Sequence, residues 1–172
     1  MIKWNEAYGR CSRTNAFKSY FGKLLPIDAF RLLTYSLQFP SVAASTVAGT
    51  YGAIAGPTTQ TFPSGAIILG ITAAGFMIQT ISGAFQYAPW GSEGRRDMFG
   101  VSVQYTGDEQ ITPNGFVVAD ALMGSGVDTI FPAKEIMMPP SQGLSVGVAN
   151  LSTSNPISVT VAFHAMVPRA AQ

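Results

Sequence analysis

The chain holds one histidine, His164, and one cysteine, Cys11. A lone cysteine forms no internal disulfide and builds no thiolate zinc site. A lone histidine supplies no multi-histidine metal centre. It serves as a catalytic base only where a Ser, Cys or Thr nucleophile is brought to it, and no Gly-x-Ser-x-Gly elbow is present. His164 falls within an alternating strand, on the face opposite Val161 and Phe163. That position reads as a surface or interface histidine.

The carboxylates are Glu6, Asp28, Glu93, Asp97, Asp108, Glu109, Asp120, Asp128 and Glu135. No pair of them has a spacing that signals a glycosidase couple across a cleft. Asp108 and Glu109 are adjacent in a turn, without the alternating oxygen ligands of a calcium loop. No phosphate-binding glycine loop of either common type occurs. The residues predict no catalytic, cofactor or metal site, and the expected role is not enzymatic.

Two groups of residues suit contact with a partner. The first is near the N-terminus, where Lys3, Trp4, Arg10, Arg13, Lys18 and Lys23 intersperse basic and aromatic side chains. The second is Gly91-Ser92-Glu93-Gly94-Arg95-Arg96-Asp97, which follows Trp90 and joins two predicted strands. Trp90, Arg95 and Arg96 are of the types that dominate interface hot spots. A solvated loop is the plainer reading of that segment. An alternative contact set is Tyr87, Trp90 and Tyr105, which suits a carbohydrate-binding face.

Composition points the same way. Of 172 residues, 47% are apolar and 11% are charged, against about 25% charged in ordinary globular chains. Interface cores are depleted in charge, so a charge-poor surface implies burial against partners. Net charge is +1, and its distribution is uneven. Residues 1–40 hold six basic and two acidic side chains, a balance of +4; residues 41–172 hold four and seven, a balance of −3. The dispersed basic end fits a protein partner better than a nucleic acid. The first twenty residues show no apolar run of a secretory leader. Asn150-Leu151-Ser152 matches a glycosylation triplet, read here as a chance match. Residues 65–90 carry no charge before position 93, but Gly and polar residues interrupt the run, so strands are expected rather than a membrane span.

These residues must be positioned by strands. Residues 157–167 alternate apolar and polar side chains with period two, bounded by Pro156 and Pro168. Leu144, Val146 and Val148 alternate likewise, and the turn-rich residues between predict a hairpin of these two strands. Further strands are expected at 29–39, 66–71, 76–85, 98–105, 116–122 and 129–136. Residues 40–65 read as a small-residue connector, and a short helix is expected near 16–25. The expected fold is an all-β, jelly-roll-like β-sandwich of about eight strands. Its domains are an extended N-terminal arm over 1–26 that folds on a partner, a sandwich body over 27–168 and a tail over 169–172.

Over about residues 27–168 the chain resembles the small jelly-roll decoration, or cement, proteins of tailed-bacteriophage capsids. The resemblance rests on the low charge, on Ala66-Ile67-Ile68-Leu69-Gly70-Ile71, on Phe131-Pro132-Ala133-Lys134-Glu135-Ile136-Met137-Met138-Pro139-Pro140, and on the final alternating strand. It implies a virion structural protein, made in the host cytoplasm and held on the capsid exterior. The implied partners are further copies of the chain, as trimer or dimer, and the major capsid protein, with the arm clamping a neighbour. Small molecules, nucleic acid and membrane are not expected partners. Collar, tail and receptor-binding virion proteins share this style and form the alternative.

Overall fold

The computed structural model describes residues 4–47, 50, 54–81, 84–89, 99–105, 112, 115–119, 122 and 135–169. Nine strands appear among them: β1 (Phe30–Val42), β2 (Ile54–Phe62), β3 (Ala66–Ile81), β4 (Ala84–Pro89), β5 (Phe99–Tyr105), β6 (Val117–Val118), β7 (Ile136–Met138), β8 (Gln142–Asn150) and β9 (Ile157–Pro168). Two helices precede them, α1 (Trp4–Cys11) and α2 (Asn15–Phe21).

The strands form two antiparallel sheets. One runs β1-β9-β3-β4, with β7 also beside β3; the other runs β2-β8-β5-β6. With β4 set aside, the pairings β1 with β9, β2 with β8, β3 with β7 and β5 with β6 are nested. First meets last, second meets second-last, and so on inward. That is one long hairpin wound into a double sheet, a jelly roll. The all-β sandwich expected from the sequence is the architecture found.

The core follows from the period-two pattern. Ile157, Val159, Val161, Phe163, Ala165 and Val167 of β9 all point inward and are buried. They meet Leu144, Val146 and Val148 of β8 across the sandwich, with Phe62, Phe99 and Ile71 filling between. Gly75 in β3 faces this core. A Cβ there would lie 2.9 Å from the Phe99 ring, closer than van der Waals contact permits, so the small residue admits the ring.

Four expectations need correction. The strands β8 and β9 are not a hairpin: they belong to opposite sheets. Asn150, fully buried, holds the crossing. Its Nδ2 donates to the Val42 carbonyl at 3.1 Å and the Asn155 carbonyl at 2.9 Å, and its Oδ1 accepts from the Ser152 amide at 2.8 Å. The glycosylation triplet is thus a buried structural joint. The strands expected at 66–71 and 76–85 are one continuous β3 as far as Ile81, with Phe85 in β4. The connector at 40–65 contains the end of β1 and the whole of β2. The extended arm is instead two short helices packed on the body.

That packing has local causes. Ala7 and Cys11 lie four apart on one face of α1, and both are buried. The Thr14 side chain caps α2 by accepting from the Phe17 amide, and Gly22, with φ of +71°, ends it. The Tyr8 hydroxyl donates to the Leu25 carbonyl at 2.7 Å and closes the hairpin onto the chain leading to β1.

Candidate functional site

Inward and outward residues alternate along each strand, so each sheet also has an outer face. On the outer face of the β2-β8-β5-β6 sheet, strand β8 is covered while Thr59, Thr61 and Gln104 beside it are exposed. Every residue of β8 from Gly143 to Asn150 is buried, Ser145 and Ala149 of the outer face included. The Phe116 ring lies over Gly147, 3.2 Å from where a Cβ would stand.

The outer face of the β1-β9-β3 strands is divided. Register places Leu32, Met166 and Ile67 in one row across the three strands. The next rows are Thr34, His164 and Gly70; then Ser36, Ala162 and Thr72; then Gln38, Thr160 and Ala74. The helical hairpin caps the end that begins at Phe30. Phe17 and Cys11 are buried there with Phe30, Ile67 and Met166, and Tyr8, Phe21, Leu25, Ile27, Leu69 and Met137 pack around them. Phe21 and Phe30 meet edge to face with centroids 5.4 Å apart. Beyond the hairpin, Thr34, Ser36, Gln38 and Ala74 are exposed and Thr72, Thr160, Ala162 and His164 half-buried. Leu32, 51% exposed, marks the border.

His164 sits on this bare half. Its Nδ1 lies 3.3 Å from the Thr34 hydroxyl and its Nε2 3.1 Å from the Thr72 hydroxyl. A hydroxyl both donates and accepts, so either imidazole tautomer is satisfied. The ring is a cross-strand strut, linking β1 to β3 over β9. Among the described residues it forms no nucleophile–base–orienter arrangement.

The basic and aromatic residues expected to contact a partner divide in their placement. Arg10 turns to the body: Nε and Nη2 donate to the two carboxylate oxygens of Glu135 at 2.7 and 2.8 Å. This bidentate pair holds the Arg10 guanidinium further above its usual range and fastens α1 beside β7. Arg13, Lys18 and Lys23 are exposed on the hairpin, and Trp4 is 36% exposed. All four are exposed, three of them basic and one aromatic. Lys3, Trp90, Arg95 and Arg96 lie outside the described residues, as do Asp108 and Glu109. Tyr105 packs against the sandwich core rather than standing clear of it.

Cys11 faces the buried cluster under the hairpin. Burial first, and the Glu135 charge second, push its thiol up to about 11, against the opposing pull of Arg10. Reactive thiols sit in electropositive, open sites with lowered pKa; this one has the reverse. Among the described residues, no group of three or more His, Cys, Asp or Glu is placed to hold a metal ion. No helix of the described residues is long and apolar enough to cross a membrane. The sequence reading missed the bare sheet face as a unit. Its signal was present in the polar positions of 158–166, but the neighbours from β1 and β3 required the register.

No family model, curated protein or solved structure matches this chain.

Proposed function

We propose that the protein is a structural component of a virus particle, a jelly-roll unit that assembles in copies and binds the outside of a phage capsid as a decoration or cement protein. The observation that carries this reading is the nested strand pairing of a jelly roll combined with a bare, uncharged sheet face. The jelly roll is a recurrent capsid and lectin architecture. A face of Thr, Ser, Gln, Ala and His without charge is easily desolvated. The exposed Arg13, Lys18, Lys23 and Trp4 supply the capsid-facing side chains. On this reading the hairpin is a preformed contact element rather than an arm that orders on binding. A preformed element costs less ordering entropy on docking.

Co-sedimentation tests this. Capsids lacking the protein are incubated with purified chain and pelleted at physiological salt. The reading expects saturable binding at a copy number set by capsid symmetry. The double variant Arg13→Glu with Lys18→Glu should bind at a fraction of that occupancy. Failure of the wild-type chain to pellet with capsids, with binding instead to a glycan panel, would contradict it in favour of a receptor-binding module.

A further inference from the structure

We infer that the bare half of the β1-β9-β3 outer face is the docking surface for a second copy of this chain, sheet against sheet. The inference rests on the reading of the protein as a self-assembling structural unit and names the surface that assembly uses. Three observations carry it.

First, the molecule closes the apolar end of this face and leaves the polar end largely open, as it also leaves Thr59, Thr61 and Gln104 exposed on the other sheet. The β8 outer residues are buried under the chain itself. The Phe30 end of the β1-β9-β3 face is buried under α1 and α2. Gly70 is buried, but the other eight positions in the rows from Thr34 to Ala74 are exposed or half-buried.

Second, the face is complementary to itself. No Lys, Arg, Asp or Glu occurs in its rows, although the chain has ten basic and nine acidic residues. A charged partner would lose hydration against this face and gain no counter-charge. An identical copy brings no such cost. Each polar side chain on the face is Thr, Ser, Gln or His, and each carries both a donor and an acceptor. A surface of that kind can satisfy its own image across a twofold axis, which is the geometry of an isologous contact. Between them lie Ala74 and Ala162, small enough for close approach of two sheets.

Third, His164 is fixed rather than free. Both its nitrogens are held by Thr34 and Thr72, so little side-chain entropy remains to be lost on contact.

The size of the face sets the strength. Three strands about 4.8 Å apart and three rows spanning roughly 20 Å give about 300 Å² per copy before side-chain relief. A standard interface takes about 800 Å² from each partner. The single contact is therefore weak and depends on concentration. Repeated copies on a particle multiply it.

Sedimentation velocity over a concentration series tests the inference with the full chain. Wild type should pass from one copy to two as concentration rises. Ser36→Lys and Ala74→Lys each put a like charge on both copies of an isologous contact, and each should weaken association by about tenfold or more. Both positions are solvent-exposed, so circular dichroism and melting should stay close to wild type. Thr61→Lys, exposed on β2 in the other sheet, should leave association unchanged. An oligomer that survives both face variants overturns this surface and leaves the assembly reading in place. A wild-type chain that stays single at every concentration, yet still pellets with capsids, overturns self-docking alone.

Discussion

The two halves of the β1-β9-β3 outer face are made by the same strands and differ in what each lays upon the sheet. At the Phe30 end the outward residues are Phe30, Ile67 and Met166, and the chain brings Phe17 and Cys11 to bury them. At the other end the outward residues are Thr, Ser, Gln, Ala and His, and they stay bare. Each large apolar side chain taken out of water contributes roughly 1.5–3 kcal/mol, so the apolar half recruits a cover from its own chain. The polar half offers too little to draw one in. It is still cheap to desolvate when an equally uncharged surface arrives. One strand set thus builds a permanent intramolecular interface and a face fit for a reversible one.

Removing the cover should break this contrast most strongly. Phe17 is fully buried at the centre of the capping cluster. Phe17→Ala should cost about 3–5 kcal/mol, read as a fall in denaturant midpoint with a rise in binding of an apolar dye. The same substitution should leave the bare half's association unchanged in whatever fraction stays folded.

A smaller loss is expected at the joint between cover and sheet. Gly65 has φ of +74°, and a Cβ there would meet the Met138 carbonyl oxygen at 2.8 Å and the Phe21 ring at 3.1 Å. Gly65→Ala should destabilise by roughly 1–3 kcal/mol through backbone strain alone, visible in thermal melts.

Alkaline pH should act on the capped half next. Burial pushes the Cys11 thiol up to about 11 from an ordinary value of 9.0. A thiol harder to ionise when folded contributes stability that is complete below the unfolded pKa and is lost as pH rises through the folded one. The melting temperature should therefore fall between about pH 9 and 11, and the fall should be shallower in Cys11→Ala. In the native chain at neutral pH, Cys11 should react slowly with a disulfide reagent, and faster in Phe17→Ala.

The smallest effect belongs to the exposed end of the cover. Arg10→Gln removes the bidentate pair with Glu135 from a side chain that is 61% exposed. The melting temperature should drop slightly at low ionic strength, and the difference from wild type should shrink as salt screens the pair.

Sequence made some of this legible. The strand β9 was readable because one face of it is wholly core, which leaves a strict alternation. The helix α2 begins within a residue of the start expected for it, but it ends at Gly22, short of the stop expected at Pro26. The strand β2 was not readable: its only fully buried side chain is Phe62, and Thr58, Thr59 and Thr61 are exposed. Such an edge strand carries almost no hydrophobic pattern. The helix α1 was missed because its buried side is only Ala7 and Cys11, with Gly9 between them. The course of the chain after Asn150 depends on three hydrogen bonds to residues at 42, 152 and 155. A polar loop of that composition reads equally well as a hairpin turn. For the site, residue types alone put Arg10 with the exposed basic residues. Its partner Glu135 is 125 positions away and becomes visible only once β7 lies beside β3.

Because the chain has a single histidine, the imidazole of His164 reports on the bare half alone. Its nuclear magnetic resonance signals can be followed in a dilution series of the full chain at fixed pH. The account predicts that the His164 signals shift and broaden as concentration rises, and that they stay fixed in Ser36→Lys. Signals that are the same in wild type from the most dilute to the most concentrated sample would contradict it.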